Sequence, residues 1–243
     1  TPRVISTPRT VDVAIIGGGP CGLATAIALS KAPCLKGSRV AVFERDELEV
    51  NKGAALALSK LGWSRLEQID EEAASRIRAS GAPISRIRAR ALDGTPLERT
   101  AHRMRAAFTG VARDAAICTG LQPDTRQRAH LWSDVRGVLA DRVAELLGEG
   151  ALNVAHQLVG VANGNNGVDL TFQCRQPPRM GDASNSLVVD KSGLMHVRAG
   201  LVLACDGMSS SVRRLAPSGP RTDELLTSTG MTAWRGVAPL EGA

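Results

Sequence analysis

A β-branched apolar strand running into three closely spaced glycines, a second strand ending in an acid, and a third apolar strand ending in Asp-Gly predict an α/β fold. The expected architecture is a Rossmann-like domain with a parallel sheet and an antiparallel meander, interleaved with part of a mixed-sheet domain.

The organising stretch is Val11 to Leu29, VDVAIIGGGPCGLATAIAL. Val11, Val13, Ile15 and Ile16 read as a buried strand, and from Pro20 onward Leu23, Ala24, Ile27 and Ala28 recur at helical spacing. Gly17, Gly19 and Gly22 supply G-x-G-x-x-G at the junction: one for the tight bend, one for close approach of backbone to a pyrophosphate, one for helix–sheet packing. Pro20 suits a first helical turn, where Cys21 follows it, and the helix N-terminus offers unpaired N–H groups to a diphosphate. No Lys-Ser or Lys-Thr follows, which excludes a nucleoside-triphosphate P-loop. A second strand, Arg39 to Phe43, ends in Glu44, 22 residues after Gly22, where a carboxylate would accept from a ribose hydroxyl and repel a 2′-phosphate. These residues predict binding of an ADP-containing dinucleotide; FAD and NAD share that half, so the choice between them stays open here.

The 243 residues suffice for one large or two interleaved domains. Thirty basic against 24 acidic residues give a net charge of +6, spread along the chain. With no Tyr, three Phe and three Trp, stacking platforms for single-stranded nucleic acid are nearly absent, so no nucleic-acid partner is expected. Cys21, Cys34, Cys118, Cys174 and Cys205 lack C-x-x-C spacing, which argues against a disulfide scaffold or a structural zinc and favours a reducing intracellular compartment, cytoplasm or organelle. His102, His130, His156 and His196 are scattered, so no metal site is expected and they read as ordinary histidines. Nowhere do 18 apolar residues run together, so no membrane-spanning helix is expected.

Further along, Ala54 to Leu61 and Trp63 to Ile69 read as helical pieces divided by Gly62, and Glu71 to Ser80 as a polar helix. Ile84 to Ala91 alternates, with Arg86, Arg88 and Arg90 on one face, and closes at Asp93-Gly94 as a hairpin. Residues 100–128 read mainly as loop. Ser133 reads as an N-cap for a helix whose stripe is Val135, Val138, Leu139, Val143, Leu146 and Leu147, stopping at Gly148. Leu152 to Val161, Gly167 to Phe172 and Leu187 to Val189 follow as meander strands, with a turn at Lys191-Ser192-Gly193. Leu201 to Ala204 is a fully apolar strand ending in Cys205-Asp206-Gly207, Ser209 to Arg214 a short helix, and Ser228 to Trp234 a strand. Gly207-Met208-Ser209-Ser210-Ser211 lacks the last glycine of a hydrolase elbow.

Three separated motifs resemble the FAD-dependent aromatic-hydroxylase family of flavoprotein monooxygenases, the family of p-hydroxybenzoate hydroxylase. They are VAIIGGGPCGLATAIAL with VAVFER, SDVRGVLADRVAELL, and LVLACDGMSSSVRR, with TAWRG near the end. The resemblance implies that Gly17, Gly19 and Gly22 hold the FAD pyrophosphate and that Glu44 meets the adenosine ribose with Arg45 beside it. It also implies that Arg136 faces the ribityl or phosphate region, and that Asp206 and Gly207 lie near FAD and incoming NAD(P)H. The implied activity is NAD(P)H-dependent monooxygenation, hydroxylating or epoxidising a small aromatic or otherwise apolar substrate through a flavin C4a-hydroperoxide. The flavin would do the chemistry, so no side chain is assigned a catalytic role.

The family's later Gly-Asp segment has no counterpart in order here, since Gly181-Asp182 precedes Asp206-Gly207. The chain is therefore expected to be the FAD-binding portion of a longer enzyme. A non-catalytic FAD- or ADP-binding remnant and a related FAD-dependent reductase or dehydrogenase are the alternatives. The expected division is a flexible tail at 1–10, a discontinuous FAD-binding domain at 11–80 and 128–215, and a partial substrate domain at 81–127 and 216–243.

Overall fold

The computed structural model describes residues 8–48, 55–83, 128–175 and 193–216, together with 227, 228 and 230. The Arg86–Arg90 hairpin, Cys118, Gly181-Asp182, the Leu187–Val189 strand and the TAWRG segment lie outside the described residues. The chain forms two compact units, one of residues 1–53 and 132–236, the other of residues 54–131 and 237–243.

In the first unit, β1 (Arg9–Ile16) leads into α1 (Pro20–Lys31) and then β2 (Val40–Phe43). All four residues of β2 and six of the eight in β1 are at least partly sheltered between neighbours, as a central parallel strand requires. Later come α4 (Trp132–Leu147), β6 (Leu152–Asn153), β7 (His156–Gly164), β8 (Gly167–Cys174), β9 (Leu194–Ala204) and α5 (Ser211–Leu215). The sheet order is β6-β2-β1-β9-β8-β7. Its first four strands are parallel, with Ile15 opposite Val42 on one side and Leu203 on the other, and β9-β8-β7 form an antiparallel meander. The expected parallel sheet with a meander is thus present, and β9 belongs to both parts: residues 194–199 pair with β8 and residues 197–204 with β1.

Helices α1 and α4 pack together, burying Leu23, Ala26 and Ile27 of one and Val135, Leu139, Ala140 and Val143 of the other. The stripe expected on α4 faces inward as its spacing dictates, though the helix begins at Trp132 and Ser133 Oγ bonds Asp134 in place of capping. A second core cluster gathers Phe43, Leu158, Leu170, Phe172, Met195 and Val197, with Val212 and Leu215 of α5 against it.

One expected strand is divided. Leu152 to Val161 breaks after Asn153 and turns at Ala155, whose φ is 58°. The reason is topological: β6 and β7 are opposite edges of the sheet, which in a flat sheet would stand about 24 Å apart. The chain between them reaches only about 11 Å, so the meander must curl back over the parallel strands. That curl is what stacks Phe172 of β8 on Phe43 of β2, with ring centroids 4.4 Å apart.

The second unit holds a three-stranded antiparallel sheet, β3 (Ala55–Ala57), β5 (Arg128–Leu131) and β4 (Ala82–Pro83), and two helices, α2 (Lys60–Ile69) and α3 (Glu71–Ser80). The helical piece expected at Ala54 to Leu61 is corrected: Ala55–Ala57 pairs with β5, and Ser59 caps α2 by accepting from Gly62 N at 3.1 Å. Alanine and leucine favour helix, but strand pairing and the cap override that preference. Gly62 does not divide the helix. Asp70 caps α3, accepting from Ala73 N at 2.7 Å ahead of Glu71 and Glu72, so α3 matches its expected bounds.

The three glycines of the β1–α1 turn differ in what surrounds them. Gly17 has φ +109° and its pro-Cβ direction points at the Cys205 backbone; a Cβ on Gly22 would overlap the Gly17 carbonyl. Gly22→Ala is therefore expected to lower the urea midpoint of unfolding by the equivalent of about 1–3 kcal/mol or more. An unchanged midpoint would show that the turn can relax around a methyl group.

Candidate nucleotide-binding cleft

The ends of β1, β2 and β9 converge on an open cleft of about 380 Å³. Backbone bonds hold these ends in step: Gly17 N donates to Phe43 O at 2.8 Å and Cys205 N to Ile16 O at 2.8 Å. Among the lining residues are Gly17, Gly19, Pro20, Cys21, Glu44, Arg45, Arg136, Asp206 and Gly207. Of the residues singled out in the sequence, Gly22 alone does not line it; it supports the turn from beneath, against Gly17 and Cys205.

Gly19 is the N-cap of α1, and no side chain caps this helix end. Its φ of −78° is open to any residue, and a Cβ there would meet nothing within 4 Å. Neither strain nor packing within the described residues demands glycine at this position. The space it leaves faces the cleft.

Glu44 is held by the loop it faces. Its Oε2 accepts from Gly18 N at 2.7 Å and its Oε1 from Asp46 N at 2.9 Å. Arg136, on α4, is 1 % exposed and so is not a surface arginine. Its Nε donates to Gly18 O at 2.9 Å, its NH1 to Glu47 O at 3.0 Å and Leu48 O at 3.3 Å, and its NH2 lies 3.6 Å from Glu44 Oε1. The guanidinium also sits 5.1 Å from the centroid of Trp132. A planar fork with five donors suits this arrangement, because it satisfies several carbonyls at once while neutralising the carboxylate. Arg136 thus fastens the glycine turn to the loop after β2, a role that its helical position alone does not disclose. Arg45 is half-exposed beside Asp46.

Asp206 turns one carboxylate oxygen to the first amides of α5, accepting from Ser211 N at 2.5 Å and Val212 N at 3.1 Å. Its other oxygen, Oδ1, is buried with no partner among the described residues. His156 Nε2 is likewise buried without a partner, while Nδ1 faces the Val154 carbonyl and the ring meets Phe43 and Phe172 edge-on. His156 lines the cleft with Gln157 and Leu158. Sequence reasoning set His156 aside as ordinary, because nothing in its neighbourhood signals that β7 begins beside the end of β2. His156 N donates to Glu44 O at 2.8 Å, a contact that only the curled sheet creates.

Three strand ends, a glycine turn and an uncapped helix N-terminus define a Rossmann-like nucleotide-binding fold of the α/β class. The chain matches the family described as FAD binding domain over residues 10–236 and belongs to that family. Solved structures agree in fold. The chain superposes on p-nitrophenol 4-monooxygenase PnpA from Pseudomonas putida DLL-E4 with a TM-score of 0.55 at 18% identity, over 85% of this chain and 44% of that one. It superposes on the flavin-dependent monooxygenase PieE, solved with FAD and substrate, with a TM-score of 0.56 at 19% identity, over 85% and 32% respectively. For OxyS anhydrotetracycline hydroxylase from Streptomyces rimosus the TM-score is 0.52 at 22% identity, over 85% and 33%. The chain therefore spans less than half the length of these structures. No curated protein matches it. The resemblance is borne out in the FAD-binding family and in the fold shared with flavin-dependent monooxygenases. Among the described residues no helix is long and apolar enough to cross a membrane, and no cluster of His, Cys, Asp or Glu is arranged to hold a metal ion.

His156 gives the site a pH dependence. Burial is the main cause holding its imidazole below the ordinary value of 6.5; nearby Arg9 adds to this, while the Val154 carbonyl and Glu47 oppose it. A depressed folded-state pKa favours the native state above about pH 6.5, and that advantage is lost as the pH falls and the unfolded chain takes up the proton first. Urea midpoints of the wild type are expected to fall from about pH 7 to about pH 5, and His156→Gln to flatten that slope. Equal slopes would assign the pH dependence to other groups.

Proposed function

We propose that this chain is the FAD-binding portion of an NAD(P)H-dependent flavin monooxygenase acting on a small aromatic or otherwise apolar substrate. The observation that carries the reading is Gly19. The turn needs glycine at positions 17 and 22 for its own geometry, but at position 19 only a ligand lying against the backbone gives a reason for a missing side chain.

The residues present fit FAD. At the uncapped start of α1, after Gly19 and Pro20, the backbone amides of Cys21 and Gly22 would meet the pyrophosphate; Pro20 has no N–H and serves to start the helix. Glu44, which keeps unused lone pairs after accepting from Gly18 and Asp46, would accept from the adenosine ribose, with Arg45 at the rim. Asp206 Oδ1 and His156 Nε2 are the unpartnered polar atoms in the wall, an acceptor and a ring nitrogen awaiting a polar ligand. Arg136 contributes by fixing the glycine turn and Glu44 in place, while Asp206-Gly207 would approach FAD and incoming NAD(P)H. When bound, the flavin would supply the redox chemistry, taking a hydride from NAD(P)H and activating O₂. The chain's own residues bind, orient and shield the cofactor from water.

Gly19→Val tests the reading, because the variant is expected to fold with an unchanged urea midpoint and yet to lose FAD binding. FAD affinity is measured by quenching of flavin fluorescence. Unaltered affinity in the folded variant would sink the pyrophosphate assignment.

A further inference from the structure

Cys21 and Cys205 belong to the same corner of the fold, and the binding scheme uses the Cys21 backbone but neither thiol. Cys21 is exposed in the first turn of α1, and Cys205 is partly buried at the end of β9. The Cys205 thiol lies beside the Cys21 side chain. Thr25, one turn along α1, bonds the Cys21 carbonyl at 2.8 Å and lies 4.0 Å from Cys205 Sγ. The pair also forms a partition: both cysteines line the nucleotide cleft, and both line a second cleft of about 390 Å³ with Ser210, Val212 and Arg213. A small solute can thus reach the sulfurs from a side that a nucleotide would leave open.

We propose that Cys21 and Cys205 are a thiol modification site, oxidised by a hydroperoxide to a reversible disulfide that closes the nucleotide cleft. The Cys21 sulfur attacks the peroxide, the O–O bond breaks, and Cys21 becomes a sulfenic acid as one alcohol or water leaves. The Cys205 sulfur then attacks that sulfur, the S–S bond forms, and the S–O bond breaks with loss of water. Two electrons pass from the two thiols to the peroxide. Burial and the neighbouring Cys21 push the Cys205 thiol up, which makes it the less reactive of the two and leaves the exposed Cys21 to meet the peroxide first. Bond formation draws the sulfurs to about 2.05 Å and pins the first turn of α1 to the end of β9, placing the disulfide in the cleft wall beside the amides proposed for the pyrophosphate. Cys34 and Cys174 lie on other elements, a short helical turn and β8.

The effect on affinity rests on the proposed FAD site; the disulfide itself does not. The test treats the whole chain with hydrogen peroxide, maps disulfide-linked peptides, and titrates FAD before and after. A Cys21–Cys205 peptide is expected, with FAD affinity lowered at least about tenfold, restored by dithiothreitol, and unresponsive to peroxide in Cys205→Ser. Stable over-oxidation, pairing with other cysteines, or linkage with unchanged affinity would overturn the proposal. If the reduced chain binds no FAD, the flavin reading fails. The cleft closure is then judged by amide exchange at Gly18 to Leu23, where slowing on oxidation supports it and no change overturns it.

Discussion

The structure depends on the passage of the chain from β1 into α1 beneath the end of β9. There is no room for a side chain at Gly17, whose φ is positive and whose neighbour is the Cys205 backbone, or at Gly22, which abuts the Gly17 carbonyl. Because the turn is that tight, α1 lies close on the sheet and its N-terminus points at the strand ends. Bonds from Gly17 to Phe43 and from Cys205 to Ile16 then lock β2 and β9 to the same level. The cleft is the space left where these three strand ends stop.

A buried cation stabilises that arrangement. Removing a guanidinium from water is unfavourable unless its donors are met, and here Gly18, Glu47 and Leu48 carbonyls and the Glu44 carboxylate surround it. The glycine turn and the loop after β2 are consequently one assembly. Glu44 has two tasks, holding Gly18 and facing the cleft, so its carboxylate is oriented before any ligand arrives. Asp206 repeats the pattern at β9: one oxygen organises α5 and the other stays available.

Much of this was legible in the sequence because it is local. The β1–turn–α1 unit, Glu44 at the end of β2, the α4 stripe, the bounds of α3 and the Asp-Gly at the end of β9 are written in periodicity and glycine spacing. The misread pieces are those decided by pairing. Ala55–Ala57 is a strand because β5 lies beside it, and Leu152 to Val161 breaks because its two halves serve opposite edges of a curled sheet. Burial of Arg136 was equally hidden, since its position just off the apolar stripe suits exposure until the loop after β2 covers it.

By itself the sequence determined the class of fold, the glycine turn and the residue types that face a dinucleotide, because each depends on contacts a few residues apart or on backbone freedom at a single position. Only the tertiary structure decided which glycine serves the fold and which the cleft, since that depends on what a Cβ would meet across the sheet. It also brought His156 beside Glu44 and Cys205 beside Cys21. Those neighbours are more than a hundred residues apart in the chain, and only the parallel register and the curl of the meander bring them together.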